Sequence, residues 1–258
     1  MTPACIDTHL HLDDSYPDPE SACKELDHQL EKAGIEKGIV LHLESQQWPR
    51  ESISDALSKH DRLYWFANVH PDDPAALSNL RIAREKLGCT GLKLHPRLQR
   101  FEVDSDATVS VTRAAGEMGI PTLIDAFPDG DALLSGFQPR RFFDLALRCP
   151  DTRIILAHFG GHHVIDFMMM AKRVPNIYFD LSYSLLYYRS SAVVQNILYA
   201  MKSMRYERIF YGSDYPDRPI QESLQSSLEI LNDGIRDADA RNRILYQNAK
   251  EFFIWNER

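Results

Sequence analysis

Glycine is scarce, 12 in 258 residues, and no Gly-rich phosphate loop follows an early apolar run. That removes the usual signature of a dinucleotide-binding open sheet. The four cysteines, Cys5, Cys23, Cys89 and Cys149, show no CxxC spacing. They read as reduced, buried thiols rather than a disulfide or zinc-ribbon framework. Positive charge is in deficit: Lys plus Arg number 29 against 37 for Asp plus Glu, a net charge of −8. Such a chain repels phosphate backbones, so no nucleic-acid partner is expected. No apolar run approaches the ~20 residues that cross a bilayer, so no membrane partner is expected. The first residues lack a basic stretch followed by an apolar core, so no signal peptide is expected, and the location expected is cytoplasmic. Hydrophobic content of 44% and charged content of 26% are ordinary for a globular enzyme.

What the chain does have is a regular alternation of short apolar runs and longer amphipathic stretches. The runs are "CID" continuing to His9, "GIVLHL" at 38–43, "LYWFANV" at 63–69 and "TGLKLH" at 90–95. They continue with "PTLID" at 121–125, "RIILAH" at 153–158, "NIYFDLS" at 176–182 and "RIFYGSD" at 208–214. Most are continuous rather than alternating, as in parallel strands covered on both faces. Helical patterns lie between them. "DPESACKELDHQLEKAG" ends at Gly34, and "DDPAALSNLRIAREKLG" predicts Asp73 as N-cap, Pro74 as first helical residue and Gly88 at the end. Each strand-plus-helix unit takes roughly 30 residues. Eight units without a Gly/Ser linker predict a single-domain α/β protein over residues 1–258, a (β/α)8 TIM barrel.

In such a barrel the carboxyl ends of the strands meet at one mouth. The first run delivers His9 and His11, the second His42 and Glu44, and the third His70. The fourth delivers Lys93 and His95, the fifth Asp125, the sixth His158, and the eighth Ser213 and Asp214. The opposite ends carry Pro, Thr, Arg and Asn instead. Within "IDTHLHLDD", His9 and His11 stand two apart on a strand and so share a face, where two imidazoles can chelate one divalent ion. The pair alone is equally a structural coincidence. Joined to His158 and Asp214 on other strands, it reads as a metal site.

"IDTHLHL", "GLKLHP", "IILAHFGG", "IFYGSDYP" and the closing "RILYQNAKEFF" together resemble the amidohydrolase superfamily. More narrowly they are similar to its amidohydrolase 2 type metal-dependent hydrolases, which include aminocarboxymuconate-semialdehyde and resorcylate decarboxylases. The resemblance spans almost the entire chain. It implies one divalent metal ion, commonly zinc, held by His9, His11 and Asp214, with His158 acting on substrate. One position departs from the family pattern: "PTLID" places Asp125 where a histidine ligand is usual. Either Asp125 ligates, a harder donor that would also suit manganese or magnesium, or the barrel works without metal as cofactor-independent lactonases do. The expectation is a metal set of His9, His11, Asp125 and Asp214.

The chemistry expected is hydrolysis of a small anionic ester, lactone or amide, with Asp214 and His158 as the catalytic pair. Non-oxidative decarboxylation on the same scaffold is the alternative, and a non-catalytic ligand-binding barrel is a third. A TatD-like nuclease fits the opening motif but not the fourth and fifth strands. Lys93, His95, Arg97 and Tyr215 are the candidate substrate-binding residues, the cations suiting an anionic small molecule. On the structural alternative Lys93 pairs with Asp125 or Glu44. Tyr187 and Tyr188 form a candidate pocket wall, while His28 and His60 fall in helical patterns and are expected to face solvent. A homodimer is common among such barrels, although no interface is legible.

Overall fold

Eight parallel strands pair in simple sequential order: β1 (Ile6–Leu10), β2 (Lys37–Leu41), β3 (Leu63–Asn68), β4 (Gly91–Leu94), β5 (Thr122–Ile124), β6 (Ile154–Leu156), β7 (Ile177–Asp180) and β8 (Ile209–Phe210). The computed structural model describes residues 3–253 and 255. Closure between the last strand and the first comes from backbone bonds beyond the short β8: Thr8 N–H to Tyr211 C=O (3.0 Å), Asp214 N–H to His9 C=O (2.9 Å) and His11 N–H to Tyr215 C=O (2.8 Å). The result is the (β/α)8 barrel that the alternation predicts.

Strand alternation divides the apolar residues into two cores. One lies inside the barrel and includes Ile39, Leu41, Tyr64, Phe66, Leu123, Ile155 and Phe210. Phe252 and Phe253, at the end of the helix Asn248–Phe252, join it and plug its lower end. The other core packs the outward residues, such as Val40, Trp65, Leu92 and Ile154, against the surrounding helices. Gly91 is needed for the inner packing, since a Cβ there would lie 2.4 Å from the Phe66 ring.

The helices follow their local signals with one displacement. Asp18 caps Pro19–Ala33 by accepting the Ser21 N–H, and Gly34 ends it at φ +72°. The helix after β3 starts at Ala76, two residues beyond the expected Pro74. Asp73 accepts the Ala75 N–H (2.8 Å) in a turn ahead of that helix instead of capping it. His60 lies beyond the helix Arg50–Leu57 and pairs with Asp27 at 2.9 Å, so it does not simply face solvent. Among the described residues no helix is long and apolar enough to cross a membrane.

The strands are shorter than the apolar runs suggested, because their carboxyl ends leave the ladder to aim side chains inward. On β1 the register against β2 shifts between Asp7 and Leu10. Ile6 belongs to the inner core and Leu10 to the outer one, so the shift is what lets both Ile6 and His9 face inward.

Candidate metal and catalytic site

A cavity of about 350 Å³ opens at the carboxyl ends of the strands. His9, His11, Lys93, His95, Arg97, Asp125, His158 and Asp214 all line it. Residues scattered over more than two hundred positions of sequence thus share one space, as the strand-end reading expected.

The His9 ring is held at both nitrogens. Nδ1 lies 3.1 Å from Asp180 Oδ2, and Nε2 lies 3.2 Å from Asp214 Oδ1. Burial lowers the His9 pKa to about 4, more than the Asp180 and Asp214 charges raise it, so the ring is neutral at pH 7. Its one proton belongs on Nδ1 toward Asp180, which leaves the Nε2 lone pair facing Asp214. His11 repeats the arrangement, with Nδ1 2.7 Å from the Leu41 C=O and Nε2 3.6 Å from the same Asp214 oxygen. With the Nδ1 of each ring facing an acceptor, the two Nε2 atoms and a carboxylate oxygen then converge on one point. Uncompensated, that repels; a divalent cation resolves it, and the hydrogen-bonded Nδ1 atoms behind are the usual support for such ligands. His9, His11 and Asp214 therefore fit a metal ion. Gly212 permits the approach, because a Cβ there would come within 2.7 Å of the His9 Cβ.

A second group with ligand-like spacing, His9, His158 and Asp180, is already saturated by hydrogen bonds. Asp180 accepts from the His9 ring, from the His158 and Ser182 N–H groups, and from the Ser182 hydroxyl. Asp180 and Ser182 went unnoticed in the sequence, although Tyr178, Asp180 and Ser182 alternate toward the barrel interior. Asp7 was also missed: its carboxylate accepts the N–H of both His9 (3.1 Å) and Ser213 (3.0 Å), tying β1 to the segment after β8.

His158 points inward only because the chain breaks strand geometry after β6. Ala157 belongs to the inner core, so an extended residue 158 would face out. Instead His158 adopts φ +61° and Phe159 φ +47°, both left-handed, at a cost of roughly 1 kcal/mol or more each. The turned ring has acceptors on both sides, the Ser182 C=O 3.0 Å from Nδ1 and Asp125 Oδ1 3.1 Å from Nε2. Burial opposes its charge, but the bond to Asp125 and the charges of Asp214, Asp125 and Asp180 outweigh burial and raise its pKa to about 9. His158 is thus an imidazolium at neutral pH.

Asp125 does not join the His9–His11–Asp214 group, contrary to the expected ligand set. Its two oxygens face His158 Nε2 (3.1 Å) and His95 Nδ1 (3.7 Å). The reason is position: β5 neighbours β4 and β6, whereas His9, His11 and Asp214 sit around the β8–β1 closure. Although burial disfavours its charge, His95, His158 and Lys93 hold the Asp125 carboxyl well below the usual range. His95 itself accepts the Leu98 N–H at Nδ1, capping the turn Pro96–Gln99, and burial lowers its pKa to about 3.

Lys93 is the most unusual group. It is 1% exposed, and among the described residues its ammonium makes no hydrogen bond and has no carboxylate within 4.0 Å. Neither Asp125 nor Glu44 pairs with it directly; Glu44 instead accepts from Gln99 (3.1 Å). Arg97 reaches the cavity already 2.9 Å from Asp129. Tyr215 does not reach it. It lies in the outer core instead, buried near Tyr16 and Glu25. The aromatic wall forms around Phe127, whose ring meets Tyr183, Tyr187 and Tyr188 edge-on or tilted; of these tyrosines Tyr183 lines the cavity.

The charged His158 makes a pH prediction for metal-free protein. Its folded pKa of about 9 exceeds the unfolded value of 6.5. The stability it contributes is fully present below pH 6.5 and is lost as pH rises through about 9. In chelator-treated protein the urea midpoint should therefore fall between pH 6.5 and 9, and Asp125→Asn should flatten that fall.

A barrel whose mouth gathers two histidines and a carboxylate that fit a metal ion, beside a histidine–aspartate pair, has the build of an enzyme active site. A model of the amidohydrolase family matches residues 6–254, and the chain belongs to that family, a family of enzymes. Solved structures agree on the fold. An uncharacterized TIM-barrel protein of Bordetella bronchiseptica is 18% identical with a TM-score of 0.77, over 96% of this chain and 98% of that one. A probable 2-pyrone-4,6-dicarboxylic acid hydrolase of Acinetobacter baumannii is 17% identical with a TM-score of 0.69, over 98% and 99%. The 5-carboxyvanillate decarboxylase LigW of Sphingomonas paucimobilis is 13% identical with a TM-score of 0.63, over 97% and 98%. No curated protein matches the chain at a significant level.

Proposed function

We propose that this protein is a metal-dependent hydrolase of a small carboxylated lactone or ester. The observation carrying the proposal is the convergence of His9 Nε2, His11 Nε2 and Asp214 Oδ1 beside an unpaired, buried Lys93. His9, His11 and Asp214 would hold the ion, zinc being the best match to two imidazoles and one carboxylate. When bound, it would supply Lewis-acid polarisation of a carbonyl and make water more acidic. Asp214 takes the proton from the attacking water, since it stays ionised: although burial disfavours its charge, the surrounding imidazoles, the charged His158 among them, hold its carboxyl well below the usual range. His158, charged and steadied by Asp125, donates a proton to the departing oxygen. Lys93 pairs with the substrate's carboxylate, gaining the partner it lacks. Two structurally similar proteins are named for a dicarboxylic acid and a carboxyvanillate, both anionic, which supports an anionic substrate here.

One observation favours decarboxylation as the second reading. An imidazolium fixed at both nitrogens is a proton donor suited to protonating the carbon that loses carbon dioxide. The test is elemental analysis of unchelated protein, followed by a panel of carboxylated lactones and aryl carboxylic acids with carbon dioxide detection. Expected are about one equivalent of divalent metal and ring opening without carbon dioxide release. Carbon dioxide release would move the assignment to the second reading, and metal-loaded protein inert toward the whole panel would overturn both.

A further inference from the structure

A second and larger cleft, about 690 Å³, adjoins the first. The two share Arg97, Asp125 and Phe127 in their walls, so a molecule seated beside Asp125 and His158 can continue past Phe127 into the cleft. One side is made by the segment after β4, with Leu98 and Phe101; the other by the segment after β5, with Leu134, Phe137 and Phe142. The charges inside it are already matched. Arg141 is bonded to Asp104 and Glu102, and Arg97 lies against Asp129. Asp125 is paired with His158, and the remaining charges, Arg100 and Asp131, are of opposite sign. The cleft therefore offers no net pull on a second anion, and its matched charges are interspersed with the apolar side chains of Leu98, Phe101, Phe127, Leu134, Phe137 and Phe142. Its lip is apolar too: Leu134 is 90% exposed and Leu98 50%. Leu134 at that exposure adds little to the packing of the barrel, and both leucines line the cleft.

From this geometry we propose that the cleft is a specificity subsite for an apolar chain or ring attached to the anionic head of the substrate. The substrate is then bipartite, its carboxylate beside Lys93, its reactive carbonyl between Asp214 and His158, and its hydrocarbon part against Phe127, Leu98 and Leu134. Small acids without that extension occupy only the first cavity and bind weakly. The inference rests on the anionic-head reading above, but its own content is the hydrocarbon subsite.

Calorimetric titration of the full-length protein with straight-chain carboxylates from acetate to octanoate tests it without requiring turnover. Burying each added methylene should tighten binding by roughly fourfold, until the chain outgrows the cleft. Leu134→Asp and Leu98→Asp change exposed residues, so folding should be kept while the gain per methylene shrinks toward none and acetate binding stays unchanged. A flat series in the wild type, or the same slope in both variants, overturns the subsite. Lys93→Met separates the two proposals: it should weaken every member equally and leave the slope intact. If acetate binding is indifferent to Lys93 while the slope persists, the anionic-head reading fails and the subsite stands.

Discussion

Asp214→Asn should lower kcat/KM by about a hundred- to ten-thousand-fold, the range for loss of a positioned acid–base group, while the protein stays folded. Asparagine keeps the volume but cannot accept the proton. Its amide N–H can instead point at the Nε2 lone pairs of His9 and His11, which now face a carboxylate oxygen at 3.2 and 3.6 Å. That substitutes attraction for repulsion in metal-free protein. The metal-free variant should therefore match or exceed the wild type in urea midpoint, even as activity and metal content collapse. Steady-state kinetics on the first active ester or lactone, with equilibrium unfolding alongside, decide it. Retention of activity within tenfold would remove Asp214 from the chemistry.

Asp180→Asn is the second large effect, and it acts through His9 without touching substrate. Oδ1 of Asp180 accepts three hydrogen bonds, from the N–H of His158, the N–H of Ser182 and the Ser182 hydroxyl, and Oδ2 faces the His9 Nδ1. An asparagine must place its NH2 against one of these. Turned toward His9, it forces the imidazole proton onto Nε2, into the space where the ligand lone pairs meet. Turned the other way, it sets donor against three donors, costing about 1–3 kcal/mol. Either way metal affinity should drop about 10- to 100-fold, the usual consequence of losing a ligand's supporting carboxylate. Competition against a chromogenic chelator measures this. Unchanged affinity would mean that His9 is not a ligand. Burial works against the charge on Asp180, but its hydrogen bonds from His9 and Ser182 and the nearby His158 charge outweigh burial and lower its pKa to about 2, so the wild-type support persists at neutral pH.

Much of the mouth was legible because parallel strands leave simple traces. His9 and His11 could be paired from their two-residue spacing, and Asp214 from its place after an apolar run. Tyr215 was not legible, because Asp214 before it leaves strand geometry at φ +62°. Alternation did hold an unused hint in Tyr178, Asp180 and Ser182, where a buried acid sits within an inward-facing row. Asp125 shows the limit. A strand-end carboxylate reads as a metal ligand, but its neighbours are set by which strands lie beside β5, and those bring His158 and His95 to it.

By itself the sequence determined the eight-fold alternation, the inward faces of the strands and the gathering of polar groups at their carboxyl ends. Side-chain direction along a strand is a local, period-two property, which is why so much could be read. Tertiary structure alone decided the partners: the Asp180 bond that orients His9, the left-handed backbone that swings His158 inward, the isolation of Lys93 and the cleft beyond Phe127. Those depend on distances across a closed barrel and on departures from regular strand geometry, and neither leaves a periodic mark in the order of residues.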